Sequence, residues 1–572
     1  MIKNIFLILP KKAKARFIKT LIVSFFSSIF ELLSLGLIIP IIYFVLNPEN
    51  ESLLKIISFL KSNLNNISVE KIHYFLISIF IIIFIFKTIF LSFFAKYQQV
   101  FKRNLRANLS QQIFRKYMNL QYAETIKKSF AEMQRNIDVE TLRFSDLVVC
   151  YTMFVNELMM AFTIIVFLFV FNFEVTLTLI TLFTFIFIFT YFLLRNKFSS
   201  WGAKGQEAHK KYNNTILQTF NNFRETKLLG KESFFLDKFE KDFKLKNQYE
   251  YNNRLFATLP RYFIELTAVL IIFLIFFMMT KDDNKQDYIL ATLSLFAYAS
   301  VRLLPMLTKL TNLIGQIRYF SNSAKTILDV LAAEQKNYNI YKRRDFENKN
   351  IESIELKNIN FSFNNKIILK DTSFKISKGF ITGIYGPSGS GKTTLLDIMS
   401  SLVIPNKGEI FINNKLINPK EYFWGKAISY ISQTTDLFNE SIEYNISFGE
   451  KGENINTDKM NFSLAASNLK NFVTELPEGL NTIVGEKGSF ISTGQKQRIN
   501  IARAFYNDTK VLIMDESTNS LDAENEASIF NDIIKIKNDL IVVIVSHNKN
   551  LLNKFCDQLY ELNNFKIHKI KI

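Results

Sequence analysis

Cysteine and histidine are scarce in this 572-residue chain, which has two of the first and four of the second. Cys150 lies within an apolar run and Cys556 lies near the C-terminus, so they cannot form the disulfide framework of a secreted protein. Motifs for nucleic-acid binding are also lacking, although the formal net charge is +19. We therefore expect no nucleic-acid partner, and we attribute the charge to loops retained on the cytoplasmic side of a membrane.

Apolar residues, by contrast, are abundant: they make up 48 % of the chain, and 59 residues are Phe. Six apolar runs are each long enough to cross a hydrocarbon core of about 30 Å as a helix. So many long runs rarely occur together in a soluble protein. We predict an all-α, six-helix transmembrane domain over residues 1–333, with spans at about 17–46, 74–94, 147–171, 175–194, 263–280 and 288–310.

The distribution of basic residues predicts the orientation of these helices. Four basic side chains between 11 and 16 precede the first span, whereas the connections 172–174 and 281–287 carry no basic excess. The N-terminus is therefore expected in the cytoplasm. The long connections 97–146 and 195–260 then lie on the cytoplasmic side, where we expect helical extensions that project beyond the bilayer.

A second domain follows a change in the sequence pattern. Residues 334–350 are polar and charged, as is typical of a linker. After them, short β-rich runs alternate with helical segments, which predicts parallel strands in an α/β domain over residues 351–572. This domain is expected in the cytoplasm.

A glycine-rich loop, Gly386-Pro-Ser-Gly-Ser-Gly-Lys-Thr393, joins an apolar strand to a helical pattern. This is the context of a phosphate-binding loop, whose glycines let backbone N–H groups turn toward phosphates at a helix N-terminus. Lys392 is expected to reach the outer phosphates, and Thr393 to ligate Mg²⁺. The predicted ATP-binding residues of this loop are Gly386, Ser388, Gly389, Gly391, Lys392, Thr393 and Thr394.

Two adjacent carboxylates, Asp515 and Glu516, end the apolar run 511–514. Asp515 supplies the oxygen ligand that Mg²⁺ prefers. Glu516 is suited to orient or deprotonate the attacking water. Paired acids at a strand end are often only solvated, but together with the phosphate loop they predict a hydrolytic site.

These motifs resemble the nucleotide-binding domain of ABC transporters across residues 351–572. Ile491-Ser-Thr-Gly-Gln495 resembles the family signature Leu-Ser-Gly-Gly-Gln, which in the family binds the γ-phosphate of ATP held by the partner subunit. The resemblance implies that Ser492, Gly494 and Gln495 contact ATP. Thr493 replaces a glycine of the signature, and its Cβ suggests slower hydrolysis or weaker closure.

The same resemblance assigns roles to four further residues. Gln433 resembles the glutamine of the Q-loop, which implies a contact with Mg²⁺ and a part in catalysis, and Asp522 lies in a D-loop-like Ser-Leu-Asp. His547 resembles the switch histidine, although a surface histidine is the alternative. Phe363 resembles the aromatic residue that stacks on adenine. ATP and Mg²⁺ are the cofactors implied.

The resemblance also implies an assembly. Residues 484–488 are similar to a loop that contacts the membrane domain's cytoplasmic helices in exporters. One membrane domain and one ATPase domain make half a transporter, so two composite ATP sites require two chains, and we expect a homodimer. The implied fold is a transmembrane exporter domain followed by an α/β P-loop nucleotide-binding domain with a helical subdomain.

Ionisable residues within apolar runs need an explanation, because each costs about 2.5–3.5 kcal/mol on insertion scales. Lys87 lies nine residues before Lys96 and is therefore expected near the midplane. Arg302 and Lys309 are seven residues apart and share a helix face. Two copies of these three cations would suit an anionic head such as a pyrophosphate.

Pairing with intramembrane acids is the alternative explanation for these cations. Glu31, Glu157 and Glu265 also lie within apolar runs and could neutralise them or Arg261. Because no acid is interleaved between Arg302 and Lys309, we favour a substrate-binding role for Lys87, Arg302 and Lys309.

Short strings around these charges, such as Val301-Arg-Leu-Leu-Pro305 and Phe86-Lys-Thr88, resemble those of bacterial flippases for lipid-linked oligosaccharides in protein-N-glycosylation loci. The resemblance implies that a polyprenyl-pyrophosphate glycan moves from the cytoplasmic to the outer leaflet of the inner membrane.

An amphipathic segment at 52–64 is expected outside, where it contacts either membrane lipid or neighbouring helices. The alternatives are an exporter of other lipids, drugs or peptides, and a membrane-anchored regulatory ATPase.

Overall fold

The structure is a computed structural model that divides into two compact units, Met1–Met118 with Ser129–Gln335 and Asn119–Lys128 with Lys336–Ile572. The segment 119–128 groups with the second unit because Ala123 packs against the core of that unit; the sequence prediction had assigned this segment to the transmembrane domain. The described residues are 8–37, 69–120, 122–126, 128–279, 286–332, 344–345, 350–363, 366–419, 422–424, 427–432, 436–450, 452–507, 509–516 and 523–570.

Long helices dominate the first half of the chain. The helices are α1 Lys11–Gly36, α2 Val69–Met118, α3 Tyr122–Thr125, α4 Phe130–Arg135, α5 Thr141–Phe171, α6 Phe173–Asn221, α7 Phe223–Leu228, α8 Glu232–Met279 and α9 Gln286–Ala332, with a π-helical turn at Asn136–Glu140 between α4 and α5. All except α3 belong to the first unit.

The described residues of each of the six predicted spans fall in one of these long helices, apart from Leu37, which follows α1. Residues 38–46 of the first span and residue 280 of the fifth lie outside the described part of the chain. The predicted external segment 52–64 lies outside it as well. Among the described residues, four helices are long and apolar enough to cross a membrane: 11–36, 77–118, 130–171 and 293–332. The count of six spans therefore stays a prediction. Helix continues through much of both long connections, as expected.

Small and polar side chains line the packed face of α1. Ser24, Ser27 and Ser34 are buried there, and small residues let membrane helices approach closely. The Ser27 hydroxyl donates to Oδ1 of Asn156 on α5 at 2.8 Å, so the contact is also polar. The α6 helix begins where the Asn172 side chain accepts from the Val175 N–H at 3.1 Å and caps it.

The second unit contains two main sheets. Its strands are β1 Arg344–Asp345, β2 Ser353–Phe363, β3 Lys366–Ser377, β4 Ile381–Tyr385, β5 Lys407–Ile412, β6 Lys415–Ile417, β7 Tyr422–Phe423, β8 Ile428–Ile431, β9 Val511–Asp515, β10 Ile541–Val545, β11 Gln558–Asn563 and β12 Lys566–Ile570. The larger sheet has the order β12-β11-β4-β10-β9-β8, and the antiparallel sheet has the order β3-β2-β5-β6.

All neighbours in the larger sheet are parallel except β11 and β12. Its central strand β10 is fully buried and consists of Val and Ile, and β9 is apolar and buried up to Asp515, as expected for a parallel sheet covered on both faces. Ligands bind at the carboxyl ends of such strands. β4, β9 and β10 are neighbours in the sheet, so the residues that follow them share one edge.

Helices complete the second unit, in chain order α10 Lys392–Met399, α11 Ile442–Ser447, α12 Thr457–Ala466, α13 Lys470–Glu475, α14 Thr493–Tyr506, α15 Ala523–Ile536 and α16 Lys549–Phe555. The four helices α11, α12, α13 and α14 share a separate apolar core, which includes Ile446, Leu464 and Ile499. This core corresponds to the predicted helical subdomain.

Candidate functional sites

The phosphate loop joins β4 to α10 and depends on its glycines. Gly389 and Gly391 have φ values of +78° and +100°, a region that favours glycine. A Cβ on Gly386 would lie 2.4 Å from the carbonyl oxygen of Leu562, so only glycine fits there. The loop backbone is therefore free to face a phosphate group.

Lys392, the first residue of α10, is buried and lies against this loop. Its Nζ donates to the carbonyl oxygens of Gly386 at 2.9 Å and Pro387 at 3.0 Å. It also lies 3.9 Å from Oε1 of Glu516. The ammonium group is thus held between the loop and the end of β9, where the outer phosphates of a nucleotide are expected.

Thr393 and Asp515 meet across the edge of the sheet, because the Thr393 hydroxyl donates to Oδ2 of Asp515 at 3.0 Å. The sequence prediction did not include Tyr430, which donates to the same oxygen at 2.7 Å. Tyr430 lies three positions before Gln433, the glutamine of the Q-loop-like sequence. It lies beside Asp515 because β8 pairs with β9. The hydroxyl and carboxylate oxygens of Thr393 and Asp515 fit the oxygen ligands that Mg²⁺ prefers.

Burial raises the pKa of Tyr430 above its usual range, and the charge of Asp515 adds to the effect. The phenol therefore remains a proton donor to the carboxylate at physiological pH. A second acid nearby, Asp397 of α10, has its pKa raised to about 6 by burial and by Asp515.

Glu516 follows β9 in a strained conformation, with φ +49°. Its N–H donates to the Val545 carbonyl at 2.9 Å, which fixes the backbone between β9 and β10. Nδ1 of His547 lies 3.8 Å from Oε1 of Glu516. Strained non-glycine residues cluster at functional sites, and here the strain directs a carboxylate toward the phosphate loop.

A cavity of about 380 Å³ lies beside these groups. Of its lining residues, Lys366, Ile367, Ile368 and Phe565 were absent from the sequence prediction, and Phe363 is not among the described lining residues. In the structure β2 and β3 pair with Phe363 opposite Lys366 and Ser362 opposite Ile367, a register that the sequence patterns did not indicate. The predicted residues that line the cavity are Ser388, Gly389, Gly391, Lys392, Thr393, Thr394, Asp515 and Glu516.

The signature-like residues lie elsewhere in the second unit. Ser492 caps α14: its hydroxyl accepts from the Gln495 N–H at 3.2 Å, and the Gln495 side chain accepts from the Ser492 N–H at 2.8 Å. Gly494 lies in the first turn of α14 and Thr493 is its first residue. Within the described part of the chain, none of these lines the cavity. Gln433 and Asp522 lie outside the described residues.

The intramembrane cations of the first unit are paired with acids. Lys87 forms an ion pair with Glu31, and its Nζ is 3.2 Å from the Ser34 hydroxyl. Nε of Arg302 lies 3.4 Å from the other carboxylate oxygen of Glu31. One buried carboxylate on α1 therefore joins cations from α2 and α9.

Lys309 is paired as well, through a hydrogen bond to Oε1 of Glu157 on α5. The alternative explanation, pairing with intramembrane acids, is observed for all three cations, and the acids Glu31 and Glu157 come from α1 and α5 rather than from α9. Lys87 is buried, whereas the side chains of Arg302 and Lys309 keep 29 % and 52 % of their surface exposed. A substrate-binding role for the three stays a prediction.

Comparisons with known proteins agree with this architecture. A family model for the ABC transporter matches residues 369–519. A probable ABC transporter ATP-binding/permease protein of Haemophilus influenzae is 32 % identical over 292 residues, 51 % of each chain. An ATP-dependent lipid A-core flippase of Francisella novicida is 28 % identical over 366 residues, 62 % of this chain and 60 % of that protein.

The solved structure of a bacterial Atm1-family ABC exporter with ATP bound superposes with a TM-score of 0.77 at 17 % identity, covering 98 % of this chain and 95 % of the other. The fold is that of an ABC exporter, as predicted. Residues 369–519 of its second unit are similar to the ABC transporter domain, which binds ATP. The chain spans about half the length of the curated relatives it matches.

Proposed function

We propose that the protein is an ATP-driven flippase that moves a polyprenyl-pyrophosphate oligosaccharide from the cytoplasmic to the outer leaflet of a bacterial inner membrane. Two copies form the transporter, and each completes the ATP site of the other. The residues of the ATP site and the charges of the membrane domain support separate parts of this proposal.

The second unit supplies the motor. Lys392 and the phosphate loop bind the outer phosphates of ATP, and Thr393 and Asp515 are the residues that would hold Mg²⁺. The ion, when bound, neutralises charge that develops on the phosphates. Glu516 orients and deprotonates the attacking water, with His547 beside its carboxylate. Ser492, Gly494 and Gln495 contact the γ-phosphate of ATP bound by the partner copy, and Gln433 and Asp522 complete the site.

The observation that carries the substrate proposal is an excess of positive charge in the first unit. Among the described ion pairs, three cations, Lys87, Arg302 and Lys309, contact two carboxylates, so this cluster carries one more positive than negative charge. Glu31 is 1 % exposed and joins two of the cations. Arg302 and Lys309 keep exposed surface that an anionic head could contact, and an Arg guanidinium suits pyrophosphate oxygens. Lys87 is buried and forms an ion pair with Glu31.

The substrate proposal is tested by reconstituting the protein in vesicles with fluorescent polyprenyl-pyrophosphate oligosaccharide. ATP-dependent loss of the glycan from the cytoplasm-facing leaflet is expected, together with stimulation of ATP hydrolysis. A cationic hydrophobic drug serves as the comparison. Stimulation by the drug alone would reject the proposal.

The basic side chains are tested by Arg302→Gln and Lys309→Gln, alone and together. Translocation is expected to fall by about tenfold or more in the double variant, because charge-assisted hydrogen bonds to the pyrophosphate are lost. Basal ATP hydrolysis should persist. Lys325→Gln is the matched control, because Lys325 is an exposed cation on α9 sixteen residues after Lys309. Equal translocation by all variants would show that these cations only pair with acids.

A second candidate substrate is another phosphorylated lipid, such as a lipid A-core glycolipid. It is favoured by the similarity to the Francisella novicida flippase, which extends over 62 % of this chain. Both substrates present phosphate oxygens to the same cations. Direct competition between them in the vesicle assay separates the two, because the true substrate stimulates hydrolysis and the other does not.

A further inference from the structure

The turn between β11 and β12 contains a phenylalanine in an unusual backbone conformation. Asn563 pairs with Lys566, so Asn564 and Phe565 form a two-residue hairpin turn. Their φ values are +48° and +66°. Such turns favour Asn followed by Gly, and a bulky residue at positive φ is a genuine outlier. Phe565 therefore occupies a position where glycine costs less free energy.

Contacts with β3 hold this conformation in place. The Phe565 carbonyl accepts a hydrogen bond from the Lys370 N–H at 2.8 Å and from the Thr372 hydroxyl at 3.2 Å. Both contacts use the backbone of Phe565, so a glycine would keep them. The aromatic ring is thus not needed to form the turn.

The ring does not serve to fill the core either, because Phe565 is 46 % exposed. It lines the nucleotide cavity, together with Ile367 and Ile368 of β3. These three apolar side chains line the cavity together with the polar residues Lys392, Thr393 and Asp515. The cavity therefore offers surface suited to a flat apolar group as well as groups suited to phosphates.

We propose that Phe565 is a specificity-determining residue that contacts the nucleoside half of ATP. Its aromatic face packs on the adenine and ribose, and its strained backbone is retained because this contact favours the bound nucleotide. The phosphate loop and Phe565 then bind different parts of the same molecule, and Phe565 acts beside the aromatic contact expected from Phe363.

The test uses Phe565→Gly in the full-length protein, because glycine keeps the turn and its hydrogen bonds. The KM for ATP is expected to rise by roughly fivefold to tenfold, as for loss of one aromatic contact, with kcat unchanged. Inorganic tripolyphosphate is used as a competitor that lacks the nucleoside, and its inhibition constant should stay the same. The melting temperature without nucleotide should stay the same or rise.

Phe448→Gly is the matched control. Phe448 also has a positive φ, +54°, and is 58 % exposed. It directly follows α11 and is not among the described residues that line the cavity. Its KM for ATP should remain that of the unsubstituted protein. An unchanged KM in Phe565→Gly would overturn the proposal. Equal weakening of ATP and tripolyphosphate would also overturn it, because Phe565 would then act only by shaping the phosphate loop.

Discussion

The hydroxyl group of Tyr430 donates a hydrogen bond of 2.7 Å to Oδ2 of Asp515, the oxygen that also accepts from Thr393 at 3.0 Å. The carboxylate is therefore oriented by hydrogen bonds from β8 and from α10. Hydrogen bonds that orient a metal ligand commonly matter as much as the ligand's own position. We therefore propose that Tyr430 positions the Asp515 carboxylate in the proposed ATP site.

Tyr430→Phe should weaken the response of ATP hydrolysis to Mg²⁺. Loss of one hydrogen bond to a charged carboxylate leaves Asp515 less well oriented, and we expect the Mg²⁺ concentration at half-maximal rate to rise about tenfold. The rate at saturating Mg²⁺ should recover most of its original value. A Mg²⁺ titration of hydrolysis measures this effect, and an unchanged midpoint would contradict it.

Glu516→Gln should stop ATP turnover while ATP still binds. The amide keeps the shape of the side chain but cannot accept a proton from water, so we expect a loss of about 10²–10⁴-fold in kcat. Binding of labelled ATP and release of phosphate are measured on the same sample. Vesicle translocation must fall with hydrolysis; glycan transport that persisted in this variant would separate transport from the motor.

The ion pairs of Glu31 with Lys87 and Arg302 predict that removing the carboxylate destabilises the protein more than removing the lysine. Glu31→Gln leaves the buried Lys87 ammonium without its carboxylate, which should cost about 3–5 kcal/mol of unfolding free energy. Lys87→Met should cost less, because Arg302 remains 3.4 Å from Glu31.

The double variant Glu31→Gln with Lys87→Met should regain part of the stability lost in Glu31→Gln. Thermal unfolding in lipid nanodiscs compares the three variants. Equal losses in the two single variants would contradict the arrangement of one carboxylate between two cations.

Asp397 predicts a pH dependence of stability. Its pKa is raised from 3.8 to about 6, so the folded state holds the proton more tightly than the unfolded state. The stability that this carboxyl contributes is present at low pH and is lost as pH rises from about 4 to 6. Asp397→Asn removes this loss, and at pH 7.5 the variant should be more stable by about 1–2 kcal/mol, less than the full pKa shift would give because the carboxyl is partly exposed to solvent.

Melting temperatures of the nucleotide-free protein at several pH values between 4.5 and 7.5 test this expectation. The difference between Asp397→Asn and the unsubstituted protein should grow up to about pH 6 and then stay constant. Parallel curves over the whole range would show that Asp397 does not hold its proton more tightly in the folded state.

Gly386→Ala should disrupt the phosphate loop. The added Cβ meets the Leu562 carbonyl oxygen at 2.4 Å, and backbone must shift to relieve this contact. We expect a loss of about 1–3 kcal/mol in unfolding free energy together with weaker ATP binding. Gly205→Ala is the control. Gly205 lies within α6, and a Cβ there would meet Tyr249 of α8 at an ordinary contact distance of 3.6 Å. Similar losses in both variants would contradict a special requirement at Gly386.

The sequence determined the parts of this protein that depend on local patterns. Apolar runs predicted the long helices seen among the described residues, and the phosphate loop with Asp515 and Glu516 predicted the proposed ATP site, because a strand, a turn and a helix follow one another directly in the chain. Only the tertiary structure decided which distant residues meet. It brought Tyr430 to Asp515 by strand pairing, Phe565 to the nucleotide cavity by a hairpin turn, and Glu31 to Lys87 and Arg302 by helix packing. These neighbours are separated by up to about 270 residues, and no periodicity along a single helix or strand encodes such contacts.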